Sequence, residues 1–123
     1  QVNIQELDTL NRLQLNVAII VLNNHSLGMV KSFQDMYFDG RNQSTKKGYS
    51  CPDFSELAKV YGIKSIHVSN QVELEKAIAE VAKSTAPILV EVFMPYATEC
   101  RPRLSFGLKL DEQSPKLDSK FTS

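Results

Sequence analysis

Five residues early in the chain, Asn23, Asn24, His25, Ser26 and Gly28, set polar donors beside a residue that has no side chain. The amide oxygen of Asn24 is a hard, neutral donor of the kind that Mg²⁺ accepts in its octahedral shell, at about 2.0–2.1 Å, with water and phosphate oxygens usually completing the coordination. One asparagine cannot hold the ion alone. A carboxylate from a neighbouring strand end, a backbone carbonyl such as that of Ser26 and two diphosphate oxygens would complete the set. Gly28 lets the backbone come close to a ligand, and a helix that starts there turns its orphan amides and its positive dipole end toward an anion. A diphosphate with its metal suits both features. The same residues also read as a polar turn in which the asparagine pair reverses the chain and Gly28 merely loosens a loop. On residue chemistry alone both readings stand.

A turn of this kind serves a ligand only if a rigid element delivers it. Val17-Ala18-Ile19-Ile20-Val21-Leu22 is a continuous apolar, β-branched run, the pattern of a central parallel strand covered on both faces. In open parallel sheets ligands bind beyond the carboxyl ends of the strands, where Asn23 and Asn24 fall. Upstream, Asn3 with Glu6 is a helix-start signal, and Ile4, Leu7, Leu10 and Leu13 share one helical face. Downstream, Leu27 to Phe38 has helical spacing. Asp39 to Pro52 is rich in Gly, Asn, Ser, Thr and Lys without an apolar period and reads as a surface loop; its stretch Arg41 to Tyr49 is placed to act as a lid or to remain disordered.

Asp53 with Glu56 caps a short helix carrying Phe54, Leu57, Ala58 and Tyr61, and Gly62 ends it. Ser65 to Val68 reads as a strand. Asn70 with Glu73 opens an amphipathic helix whose stripe is Leu74, Ala77, Ile78, Val81 and Ala82, and Pro87 leads into a last strand, Ile88 to Phe93. Periodicity then ends. Residues 1–94 form one domain portion and 95–123 an extension lying on the surface or on a partner subunit, with Leu104, Phe106, Leu108 and Leu110 as a docking segment. The alternation of helices and strands predicts an α/β fold, a parallel sheet with helices on both faces joined by right-handed crossovers.

At 123 residues the chain is one small domain with one core. Fourteen basic residues balance fourteen acidic ones, so no field points to nucleic acid or an anionic membrane. The longest apolar run is far below the roughly 20 residues of a membrane-spanning helix. The N-terminal residues lack the basic segment, apolar stretch and small-residue cleavage site of a secretory signal, and the first is not methionine, so Gln1 is expected to reflect where the chain was cut. Cys51 and Cys100 lack CxxC spacing and are expected to be free thiols in a reducing, cytoplasmic setting.

The stretch Leu22-Asn23-Asn24-His25-Ser26-Leu27-Gly28-Met29-Val30 is similar to the second half of the thiamine diphosphate motif of acetolactate (acetohydroxyacid) synthase-like enzymes. Further matches run through Phe33 to Arg41, Pro52-Asp53-Phe54, Leu57-Ala58, Tyr61-Gly62-Ile63 and Pro87 to Val92, so the resemblance covers Gln1 to about Phe93. It implies the C-terminal portion of a thiamine diphosphate-binding domain. Asn24 would then be the side-chain Mg²⁺ ligand and Ser26 a backbone-carbonyl ligand. Leu27, Gly28 and Met29 would lie against the diphosphate, with Asn23 supporting the turn. Met29 also reads as core, His25 as a solvated loop imidazole and His67 as a partly buried structural histidine.

The resemblance further implies a 2-keto acid substrate, decarboxylation followed by carboligation, and a homodimer or homotetramer formed through the cofactor-binding domains. In the family the motif opens with Gly-Asp-Gly, expected upstream of Gln1, and the catalytic glutamate sits in a separate N-terminal domain of another subunit. The isolated chain is therefore expected to be catalytically silent. Two departures bear on the substrate. Phe33 stands where acetohydroxyacid synthases typically have tryptophan, and Glu99 to Leu104 looks closer to divergent relatives. The alternatives are a simple 2-keto acid decarboxylase, or a non-catalytic fragment or degenerate paralogue that serves only subunit assembly.

Overall fold

The computed structural model describes residues 3–115. In chain order the elements are α1 (Glu6–Arg12), β1 (Ala18–Asn23), α2 (Gly28–Tyr37), α3 (Phe54–Val60), β2 (Lys64–Val68), α4 (Gln71–Val81) and β3 (Ile88–Phe93). They fall into two compact units: the chain up to Asn24 with Ser50–Pro95, and His25–Tyr49 with the chain from Tyr96 on.

The first unit is a parallel sheet in the order β1-β3-β2, with Val21 opposite Glu91, Asn23 opposite Phe93 and Ile66 opposite Val90. The α/β expectation holds, but the central strand is β3 and not the β-branched run of β1. Ile88, Leu89 and Val90 are 1–3% exposed, whereas Ile20 and Leu22 on β1 are 60% and 64% exposed. An apolar run shows that a strand has two apolar faces; it does not say which strand acquires a neighbour on each edge.

Successive residues of β3 point to opposite faces, and a different helix set covers each. Leu89 packs with Leu7 of α1, Ala58 of α3 and Ile63, backed by Ile19 and Val21. Val90 packs with Val68 and Ala77 of α4, backed by Ile66, Leu74 and Val81. Helices thus cover both faces, and full burial of each large apolar side chain contributes about 1.5–3 kcal/mol. Within the stripe expected for α4, Ile78 departs by remaining 59% exposed, and Ala82 is exposed as the cap residue just past the helix.

Two of the three expected caps form. The Asp53 side chain accepts from the Glu56 N–H at 2.8 Å and that of Asn70 from the Glu73 N–H at 3.0 Å, while Glu73 returns to the Ser69 N–H at 2.7 Å. Asn3 does not cap α1. That helix begins after Gln5 with no side-chain cap, and the Asn3 main-chain carbonyl accepts from the Glu6 N–H in a preceding turn.

Gly62 ends α3 at φ +71°, its N–H donating to the Lys59 carbonyl while the Ile63 N–H donates to that of Ala58. A Cβ here would stand 2.8 Å from Asn11 Nδ2, the movable end of a side chain. Gly62→Ala is therefore expected to cost about 1–2 kcal/mol, chiefly left-handed backbone strain, read as a lower denaturant midpoint. An unchanged midpoint would refute the strain.

In the second unit the segment Asp39 to Tyr49 forms no helix or strand and is mostly exposed, as its composition predicts, but it is pinned at one buried residue. Thr45 is 2% exposed. Its hydroxyl donates to Gln34 Oε1 at 2.6 Å, and its carbonyl accepts from Ser26 Oγ at 2.8 Å and the Leu27 N–H at 3.1 Å. The segment after Tyr96 runs along α2: Phe106 stacks on Tyr37 at 5.4 Å and meets Phe33 edge-on at 5.8 Å. Leu110 of the expected docking segment stays 86% exposed. Neither Cys51 nor Cys100 is in a disulfide.

Candidate functional site

The first unit brings Asn23 to the carboxyl end of β1, with Asn24 the next residue. Asn23 is 6% exposed and is held in two ways. Its carbonyl accepts from the Met94 N–H at 2.9 Å, and its side-chain amide donates to Glu91 Oε1 at 2.7 Å. Cys51 Sγ lies 3.9 Å from Asn23 Oδ1. The amide orientation follows from the chemistry, since a carboxylate can only accept. The half-buried Asn24 carries a hard oxygen suited to Mg²⁺.

In the second unit the chain turns at His25, whose φ of +50° lies in the left-handed region that histidine tolerates better than most residues. Ser26 is 7% exposed, and with its hydroxyl committed to Thr45 its side chain has a fixed direction. Gly28 and Met29 open α2, with Leu27 as the preceding cap residue; no acidic residue stands in the first turn and no side chain caps it. That donor set fits a diphosphate, because no acidic residue of the first turn opposes an anion at the amides and dipole end. Met29 is 81% exposed, so it is not the core filler its side chain allowed.

Further along the same unit, Lys31 bonds Asp35 at 2.6 Å and Glu99 at 3.0 Å, while Arg103 reaches Ser32 Oγ at 2.5 Å and Glu99 at 3.2 Å. Met29, Phe33 and Met36 line a shallow apolar cavity of about 300 Å³ with Cys100, Arg103 and Leu104. The Lys31 hydrogen bond holds the Glu99 carboxyl below its usual range, the same lysine does so for Asp35, and those two carboxylates raise Lys31. A lowered carboxylate pKa contributes stability above the unfolded value that is lost as pH falls through the folded one. The raised lysine contributes below its unfolded value and loses that contribution at high pH. The Phe106 ring resonances are therefore expected to stay constant between about pH 5 and 9 and to move below about pH 4; movement already at pH 6 would contradict the assignment.

Two residues of these sites were not singled out by sequence reasoning. Thr45 lies in a stretch without period and gave no signal. Glu91 gave one: an acid inside the apolar run of a strand. It is 1% exposed and accepts from Asn23, from the Ser55 N–H at 3.0 Å and Oγ at 3.1 Å, and faces His67 Nε2 at 3.3 Å. Asp53, His67 and Glu91 bring one ligand atom each within 4.8 Å of one another. Asp53 already serves as a cap and both Glu91 oxygens accept hydrogen bonds, so the trio is accounted for without an ion. His67 lies edge-on to Phe93 at 4.7 Å, with its side chain 49% exposed.

Comparison with known proteins adds three findings. The family model described as "Thiamine pyrophosphate enzyme, C-terminal TPP binding domain" matches residues 1–92. Among relatives, the acetolactate synthase large subunit of Cyanidium caldarium is 31% identical over 107 residues, 87% of this chain and 18% of that protein. Isozyme 3 of the Escherichia coli large subunit is 36% identical over 115 residues, 91% of this chain and 20% of that one. The chain thus spans about a fifth of the length of these relatives. Among solved structures, a thiamine diphosphate-dependent 4-hydroxybenzoylformate decarboxylase of Rhodococcus jostii superposes with a TM-score of 0.69 at 26% identity, over 76% of this chain and 17% of that one. No helix among the described residues is long and apolar enough to cross a membrane.

Proposed function

Since the chain belongs to the thiamine pyrophosphate enzymes through their C-terminal TPP-binding domain, we propose that it holds the diphosphate and Mg²⁺ in an enzyme that decarboxylates and carboligates 2-keto acids. The observation that carries this reading is the coincidence of the family match with a strand that ends at buried Asn23, then half-buried Asn24, followed by a helix start free of acidic residues. The side-chain oxygen of Asn24 and the carbonyl of Ser26 are the metal ligands. Leu27, Gly28 and Met29 lie against the diphosphate, and Asn23 supports the turn. The bound cofactor supplies the electron sink that loosens the bond between the keto carbon and its carboxylate. This domain contributes positioning, since oxygen donors and helix-end amides fixed in advance need little reorganisation. The carboxylate ligand and the group that activates the cofactor come, on this reading, from outside residues 1–123.

Assembly through the cofactor-binding domains as a homodimer or homotetramer, a cytoplasmic setting and catalytic silence of the isolated chain belong to the same proposal. Calorimetric titration of the complete enzyme with thiamine diphosphate and Mg²⁺ tests it. Metal-dependent binding is expected, and no binding would leave a purely assembling role. A second reading, decarboxylation without carboligation, draws support from the decarboxylase among the structural neighbours and from Phe33. Acetolactate formed from pyruvate would reject it; aldehyde as the sole product would establish it.

A further inference from the structure

The carboxylate of Glu91 has no task in the reading above, although it is among the most deeply buried side chains of the molecule. It follows Ile88-Leu89-Val90 on the central strand, where another apolar residue would be ordinary. Taking a carboxylate out of water costs several kcal/mol, offset only by well-placed donors. Those donors come from separate elements, Asn23 at the end of β1 and Ser55 in the first turn of α3, and His67 Nε2 on β2 lies 3.3 Å from the carboxylate. Such a knot fixes directions as well as distances.

We infer that Glu91 is a positioning residue for the metal-binding turn, its carboxylate orienting the side chain of Asn23 and so setting the direction in which Asn24 leaves the sheet. This rests on the proposed role of Asn24. In the parallel register Glu91 lies opposite Val21, and the strand pleat puts Val21 and Asn23 on one face, so Glu91 reaches Asn23 along the diagonal of the ladder. The Met94 N–H already fixes the Asn23 carbonyl. The 2.7 Å bond to Glu91 adds the side chain. With main chain and side chain both held, the peptide that carries Asn24 has one exit direction, and a metal ligand held in advance binds more tightly than one that must be ordered on binding.

An exchange of donor and acceptor tests this in the complete enzyme, with the Kd for Mg²⁺–thiamine diphosphate measured by calorimetry well below the unfolding midpoint. Asn23→Asp sets two carboxylates against each other, and the cofactor Kd is expected to rise tenfold or more. Glu91→Gln alone is expected to be milder, because the Asn23 amide can turn over to accept from the new amide. Combining Asn23→Asp with Glu91→Gln restores one hydrogen bond with its polarity reversed, and Kd should return to within about threefold of Glu91→Gln. Additive effects would overturn the inference, as would a lowered unfolding midpoint with unchanged Kd. If Asn23→Asp does not fold, Ser55→Ala removes one donor from Glu91 without touching the turn; it should raise Kd about threefold, and an unchanged Kd overturns the inference. Asn24→Ala separates the two proposals. Wild-type affinity in that variant sinks the metal assignment together with this inference, whereas weakened binding without coupling between positions 23 and 91 sinks the inference alone.

Discussion

Replacing Asn24 by alanine in the complete enzyme is expected to raise the Kd for Mg²⁺–thiamine diphosphate about a hundredfold, close to 2.7 kcal/mol. Changing a residue that merely orients a metal ligand typically costs 10–100-fold in affinity, so loss of a ligand belongs at the upper end of that range or beyond it. Water can fill the vacated position, which limits the loss, but it lacks the fixed direction that β1 gives a side chain. The Kd is read well below the unfolding midpoint of each protein, so that it reports the ligand and not the fold. A variant with weakened binding and a parental unfolding midpoint confirms the assignment, and parental affinity refutes it.

Glu91→Leu is expected to act on the fold itself, lowering stability by about 3–5 kcal/mol. Leucine fills a comparable volume and relieves the desolvation of a charge, and exchange of a whole buried ionic group for apolar residues is often neutral. Here the donors remain. The Ser55 N–H and hydroxyl and the Asn23 amide lose their acceptor in a dry interior, at about 1–3 kcal/mol for each group left unsatisfied. A denaturant midpoint shifted by less than about 1 kcal/mol would mean that water reaches these donors and that the knot is looser than its distances indicate.

Much of this was legible locally. The apolar runs of β1 and β3 read as strands because they are short and enriched in β-branched residues. Asp53 and Asn70 announce α3 and α4 because a cap is a bond across three residues. Asn3 carries the same signal, yet the first turn forms around its carbonyl. The neighbours of β1, the burial of Thr45 and the knot at Glu91 depend on partners far along the chain. Glu91 meets Ser55 and Asn23 from 36 and 68 positions away. In a strand, alternation alone assigns such a glutamate to solvent as readily as to the core. The candidate ligands at Asn24 and Ser26 were visible as chemistry, and the family resemblance chose between a site and a turn. The residues bonded to their surroundings, Glu91 for Asn23 and Thr45 for Ser26, emerged only in three dimensions.

The exposed face of β1 also bears on how this chain behaves in a test tube. Ile20 and Leu22 present branched side chains to water on a strand that is paired on one edge only among the described residues. An apolar edge of that kind is a template for adding strands, and it carries no lysine, proline or bulge to discourage recruitment. Prepared alone and at high concentration, the polypeptide is an aggregation hazard, and a charge placed at Ile20 would be the first remedy in making it a workable reagent.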